Sequence, residues 1–287
     1  MQNAFTIEDL SYRYPSKDTD VIKGITFNVK QGEIFGFLGP SGAGKSTTQK
    51  LMIKLLNDYR GNIKYFDRDL KKINESYYEE IGVGFEMPVH FGKLTGLENM
   101  KYFSSFYKNK ADIKNLMEKV GLWEFRDVLV SQYSKGMKVR LNFVRAMLNN
   151  PKVLFLDEVT NGLDPKNAMI IKKMIYEFKK DGGTVFLTTH LMNDVEQLCD
   201  QVAFCVDGKL YEIATPRDLK LKYGKKEVTV EYHENNNILT RDFELNDLGF
   251  NDDFQTLLKS NRLETIHSGE TTMEDIFIKV TGEVIHE

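Results

Sequence analysis

The stretch "GPSGAGKST", residues 39–47, follows the apolar run "IFGFL" (34–38) and precedes the helical pattern "TQKLMIKLLN" (48–57). A strand that breaks into a glycine-rich turn and then a helix places several backbone N–H groups and a positive helix end around one small volume, which suits phosphate oxygens. The spacing fits G-x-x-x-x-G-K-[ST], with Gly39, Gly44, Lys45 and Ser46 at the fixed positions and Pro40, Ser41, Gly42, Ala43 and Thr47 completing the loop. Lys45 is expected to reach the β- and γ-phosphates of a nucleoside triphosphate, and the Ser46 hydroxyl to ligate Mg²⁺.

A triphosphate site also needs a carboxylate for the metal and a group that activates water. "VLFLDE" (153–158) is an apolar run ending in Asp157, placed for the metal, and Glu158, placed to polarise the attacking water. "TVFLTTH" (184–190) ends in His190, whose imidazole is expected near the γ-phosphate. Together with "VAFCV" (202–206) these runs have the length of buried strands. Between them, Asp164 and Pro165 open a helix in which Ile171, Met174, Ile175 and Phe178 recur with helical period, and "DGG" (181–183) ends it. The alternation predicts a largely parallel α/β sheet with helices on both faces and ligands at the carboxyl ends of its strands.

The flanking segments differ. "AFTIEDLSYRY" and "VIKGITFNVKQGE" alternate like antiparallel strands and predict a β layer beside the parallel core. Residues about 95–135 carry a helical face through Ile113, Leu116, Met117 and Val120 and read as a helical insert. The chain turns polar near 220; "EVTVEYH", an Asn-rich turn at 235–237, "ILTRDFEL" and a helix around "MEDIFIKVTG" predict a small α+β extension over 221–287, appended to a domain spanning 1–220.

Composition limits the alternatives. A net charge of −3 over 287 residues argues against a general nucleic-acid binder. Cys199 and Cys205, without metal-ligand spacing, read as reduced core thiols. The start has no secretory pattern and no run of about eighteen apolar residues occurs, so any membrane role comes through a partner.

The phosphate loop, "SKGMK" (134–138), "VLFLDE", "NGLDP" (161–165) and "TTH" (188–190), in that order and spacing, resemble the ATP-binding subunit of ABC transporters, exporter-type, over nearly the whole chain. The resemblance implies an ATPase whose Ser134 and Gly136 close over ATP·Mg²⁺ held by the Lys45 loop of a second subunit, identical or not, on a separate integral-membrane permease at the inner face of the cell membrane. It further implies that Tyr14, with Tyr12 as rival, stacks on adenine and that Asp164 links the two ATP sites. Its short signature is altered here, with Tyr133, Ser134, Lys135 and Gly136 where Leu-Ser-Gly-Gly is usual, and Val159 replaces a proline. Glu86 in "VGFEMPVHFGKLTGLENM" stands where Gln is usual, offering the metal a charged oxygen, as in exporters that protect bacteria from peptide antibiotics. Around it, Phe85, Met87, Val89, Phe91 and Leu94 resemble the surface that receives a short permease helix, and "TTMEDIFIKVTGE" resembles the tail of exporter cassettes. The alternatives are a soluble cassette ATPase serving a nucleic-acid or ribosomal partner, although the chain lacks the coiled coil, zinc module or tandem cassette such machines carry, and a nucleotide-gated module without turnover.

Overall fold

The computed structural model describes residues 2–87, 89–234, 237–260, 262–269 and 271–282. The elements in chain order are β1 Asn3–Tyr12, β2 Ile22–Lys30, β3 Ile34–Leu38, α1 Lys45–Met52, β4 Arg60–Tyr65, β5 Arg68–Asp69, β6 Ile81–Gly84, α2 Gly96–Ser104, α3 Ile113–Lys119, α4 Lys135–Ala146, β7 Val153–Asp157, α5 Pro165–Lys180, β8 Thr184–Thr189, α6 Met192–Leu198, β9 Gln201–Val206, β10 Lys209–Ala214, α7 Pro216–Tyr223, β11 Glu227–Glu234, β12 Asn237–Glu244, α8 Asp252–Lys259, β13 Leu263–Ser268 and α9 Met273–Thr281. They form two compact units that divide between Pro216 and Arg217.

In the first unit a six-stranded sheet runs β10-β9-β3-β8-β7-β6, parallel except for the β9–β10 hairpin at its edge. Strands β3, β7 and β8 are buried at every position. That explains why they read as unbroken apolar runs rather than as alternation. A second, antiparallel sheet runs β2-β1-β4-β5. In β2 buried and more exposed residues alternate over most of its length, so one face of this sheet carries the apolar side chains.

That apolar face corrects one expectation. Helices alone do not cover both sides of the parallel sheet: on one side Phe5, Ile7 and Phe27 of the antiparallel layer share the core over Phe35, Phe37, Phe155 and Phe186 with Leu51 and Met52 of helix α1. Leu154, Leu156, Val185 and Leu187 alternate to the other side, where α4, α5 and α6 contact β6 and β8. Phe186 is the hub, with ring centroids 5.6–6.3 Å from Phe27, Phe35, Phe37 and Phe155. Phe186→Ala is expected to cost about 3–5 kcal/mol in urea unfolding, because so many rings border the void that collapse cannot fill it.

Helices α2, α3 and the start of α4 occupy the span read as the insert. Thr95 opens α2 through a full capping box with Glu98, and Tyr133, before α4, is buried with its hydroxyl donating to Phe125 O at 2.7 Å. The second unit contains a three-stranded sheet, β12-β11-β13, with Val228, Val230 and Phe243 packed on Phe254 of α8. It begins earlier than the polar shift near 220 because α7 is part of it: Lys279 of α9 donates to Tyr223 O at 3.0 Å. Residues 235 and 236 of the expected Asn-rich turn lie outside the described residues.

Candidate functional site: a phosphate loop facing two carboxylates

The loop between β3 and α1 is shaped by what its glycines exclude. A Cβ on Gly39 would sit 2.0 Å from the Cys205 carbonyl oxygen, so only glycine lets the loop pass β9. Gly44 precedes α1 at φ 106°, a left-handed conformation that other residues rarely adopt. No side chain caps the start of α1 and its first turn has no acidic residue, so the leading N–H groups and the helix dipole are available to an anion.

Lys45 follows directly. Its ammonium donates to Gly39 O at 2.6 Å and Pro40 O at 3.1 Å, which holds it across the loop mouth. Burial pulls its pKa below the ordinary lysine value, opposed by the negative charges of Glu158, Asp157 and Glu86. A cation so poorly solvated, with carboxylates opposite, is one that a phosphate would stabilise.

The opposite wall comes from the carboxyl ends of β7 and β8. Asp157 is buried and accepts a hydrogen bond from the Thr188 hydroxyl. Glu158 turns out of β7 at φ 51°, held by its own N–H donating to Thr188 O at 3.0 Å. Its carboxylate is bonded at both oxygens, to His190 Nδ1 at 2.7 Å and to the Thr189 hydroxyl at 3.2 Å. Burial pushes the Glu158 pKa up, and His190 and Lys45 pull it back. A carboxyl poised in this way is suited to take a proton from water.

One cavity of about 480 Å³ gathers these groups: Tyr14, Ser41, Gly42, Gly44, Lys45, Ser46, Thr47, Glu86, Asp157, Glu158 and His190 all line it. Of the other loop residues, Gly39 and Pro40 present carbonyls to Lys45, and Ala43 is buried with its carbonyl accepting from Gly208 N. Tyr12 packs inside the core, edge-on to Tyr14 at 5.0 Å, whereas the half-buried Tyr14 shares a 3.2 Å hydrogen bond with Thr47. That places Tyr14, not its rival, beside the phosphate loop. Lys17 and Val21 also line the cavity and were not anticipated. Only their closeness to Tyr14 in the turn, where Lys17 N donates to Tyr14 O at 2.9 Å, could have flagged them.

Ser46, Asp157 and Glu86 line the same cavity with hydroxyl and carboxylate oxygens, a hard donor set that fits Mg²⁺. Among the described residues no cluster of three or more His, Cys, Asp or Glu side chains could hold a metal by itself. Three oxygen donors leave positions in the Mg²⁺ shell for phosphate oxygens and water.

Ser134, Gly136 and Asp164 do not line the cavity. Ser134 caps α4, its hydroxyl accepting from Met137 N at 3.2 Å, and Asp164 caps α5 through Asn167 N at 3.1 Å. The two starts lie side by side: a Cβ on Gly136 would be 3.5 Å from Leu163 Cδ2, and one on Gly162 would be 2.8 Å from Lys135 Nζ. They form a separate, exposed patch with its own helix N-terminus and no acidic residue in the first turn of α4. Helix α4 also holds the segment that carries Glu86, through Asn142 to Phe85 O at 2.7 Å, Lys138 O to His90 Nε2 at 3.1 Å and Arg145 to Val89 O at 2.6 Å. Met87 and Val89 of that segment are exposed, as is Phe91.

Comparison with known proteins agrees with this geometry. A family model described as ABC transporter matches residues 22–161, and one described as fluoroquinolone efflux ABC transporter C-terminal domain matches residues 226–270. A fluoroquinolones export ATP-binding protein of Mycobacterium tuberculosis is 45% identical over 278 residues, 96% of this chain and 92% of that protein. A bacitracin transport ATP-binding protein of Bacillus licheniformis is 31% identical over 306 residues, 98% of each. Among solved structures, one described as the ATP binding subunit of an ABC transporter superposes with a TM-score of 0.70 at 28% identity, covering 77% of this chain and 93% of that one.

Proposed function

Because the chain belongs to the ABC transporter family, as an ATP-binding subunit of export type with ATPase activity, we propose that it works as one half of a composite ATPase whose sites lie between two copies on a membrane permease. The observation that carries this reading is the separation within one chain of two helix starts without acidic residues in their first turns, those of α1 and α4. The phosphate loop lies opposite Glu158 in one cavity, and Ser134 with Gly136 stands outside that cavity. In the dimer, Ser134 and Gly136 of one copy cover the γ-phosphate held by Lys45 of the other.

Tyr14 takes the adenine, the N–H groups at the start of α1 and Lys45 take the phosphates, and Ser46, Asp157 and Glu86 hold the metal. Mg²⁺, when bound, neutralises charge on the β- and γ-phosphates. Glu158 accepts the proton of the attacking water, and His190, whose Nδ1 holds Glu158, presents Nε2 toward the γ-phosphate. Glu86 adds a negative charge that a glutamine would not, so the site depends more strongly on its metal than one with glutamine there.

The exposed Met87, Val89 and Phe91 form the face that receives a short permease helix, which would keep this subunit at the inner surface of the membrane. No helix among the described residues is long and apolar enough to cross a membrane, so the substrate path belongs to that partner. The 45% relative and the C-terminal match make fluoroquinolone-like amphiphilic drugs the first cargo to assay. Affinity purification of the tagged chain from detergent-solubilised membranes is expected to retain a polytopic membrane protein. Recovery with ribosomes or DNA instead would overturn the reading.

A further inference from the structure

Three polar side chains that do not line the cavity meet from helices α5 and α6 and the loop after β7. Asp194 of α6 is buried, and its Oδ1 lies 2.5 Å from the ammonium of Lys172 on α5, with side-chain exposures of only 8% and 15%. Its other oxygen, Oδ2, accepts the hydroxyl hydrogen bond of Thr160, which is also buried. Lys172 further donates to Gln197 Oε1 at 2.9 Å, tying α5 to α6 a second time.

The place of this network matters more than its energy. A buried ion pair is weak evidence for stability, because desolvating both charges offsets most of their attraction. Thr160 lies two residues beyond Glu158, and Asp194 four residues beyond His190. The Glu158–His190 and Thr160–Asp194 bonds therefore join the loop after β7 to the segment running from β8 into α6 at two points. Glu158 itself is held by its N–H to Thr188 O and by Thr189 and His190 at its carboxylate; the Thr160–Asp194 bond adds a tie two residues further along the loop, beyond those contacts. Between its two tethered ends, Glu158 and Asp164, the loop is held by two hydrogen bonds of its own, Asn161 N to Glu158 O at 3.0 Å and Leu163 N to Thr160 O at 3.1 Å. Lys172 extends from the helix that Asp164 caps, so the same cluster also ties the far end of the loop.

We infer that Thr160, Asp194 and Lys172 form a positioning cluster that fixes the Glu158 carboxylate against His190 and, through the same loop, holds Leu163 and Asp164 in place beside Gly136. None of the three touches the nucleotide. Their effect is on how often Glu158 faces the water in line with the γ-phosphate, and a misplacement of about 1 Å there can cost on the order of 10²-fold in rate. This inference rests on the assignment of Glu158 as the base.

Two measurements on the full chain test it. Thr160→Val keeps the shape and deletes the hydroxyl; it is expected to lower kcat by roughly 10–100-fold, with the KM for ATP and the melting temperature close to those of the parent. Thr160→Ser restores the rate, and Asp194→Asn shows the same kcat loss at unchanged KM. Independently of turnover, hydrogen exchange at the Asn161 and Leu163 amides rises in Thr160→Val and not in Thr160→Ser. Wild-type kcat in Thr160→Val, unchanged exchange in the loop, a Ser variant as impaired as the Val variant, or loss of ATP affinity in step with kcat would each overturn the inference. If Glu158→Gln kept full turnover, the base assignment would fail instead, and the exchange result would still report on the cluster.

Discussion

Glu158→Gln is expected to slow ATP hydrolysis by about 10²–10⁴-fold, the range that a positioned general base contributes, while leaving ATP binding intact. The substitution removes the charge and turns one acceptor oxygen into a donor amide at nearly the same shape. A glutamine oxygen can still accept from His190 Nδ1, as the carboxylate does at 2.7 Å, and its amide can still meet the Thr189 hydroxyl. Burial already disfavours the charged form of Glu158, against the pull of His190 and Lys45, so removing the charge is expected to cost the fold little. Binding is expected to be spared, because the proposed phosphate contacts come from Lys45 and the start of α1. Single-turnover phosphate release, read beside nucleotide binding, separates the two effects, and hydrolysis at the parent rate would remove Glu158 from the role of base.

Gly136→Asp is expected to abolish turnover, by about 10³-fold or more, although Gly136 lies outside the cavity of its own chain. Its own fold has room, since the new Cβ would meet Leu163 Cδ2 at 3.5 Å, an ordinary contact. In the dimer, the added carboxylate would face the γ-phosphate bound by the partner. Two like unit charges about 4 Å apart repel by about 4 kcal/mol at an effective dielectric of 20, and the γ-phosphate carries more than one. The monomer is expected to bind ATP with unchanged affinity, measured by fluorescent nucleotide titration, and to show no hydrolysis. A variant that hydrolyses normally would place Gly136 away from any phosphate.

Much of this was legible in the sequence where a local pattern and its chemistry coincide. The loop at 39–47 declares itself because close approach to β9 demands Gly39, the left-handed turn demands Gly44, and the charge demands Lys45. Asp157, Glu158 and His190 were findable because buried parallel strands appear as apolar runs and their ends are where polar side chains can emerge. What stayed hidden depends on pairing over long distances. Strand β6 has four residues, two of them glycine, and β4 is mostly polar, so neither stands out before its neighbours are known. The layer over the sheet was expected to be helical on both sides because nothing local announces that Phe5 and Phe27 will pack on Phe155, Phe35 and Phe37. The Thr160–Asp194–Lys172 cluster was missed for the same reason, since it joins residues distant in the chain, whereas Lys17 and Val21 reach the cavity through the local turn after Tyr14.

The central claim, that each site is completed by a second copy, is tested most directly by sedimentation of the Glu158→Gln chain with and without ATP and Mg²⁺. The composite site predicts a monomer alone, a dimer carrying two ATP when both ligands are present, and a return to monomer when Gly136→Asp is added. A chain that remains monomeric with ATP bound, or a Gly136→Asp variant that dimerises equally well, would contradict it.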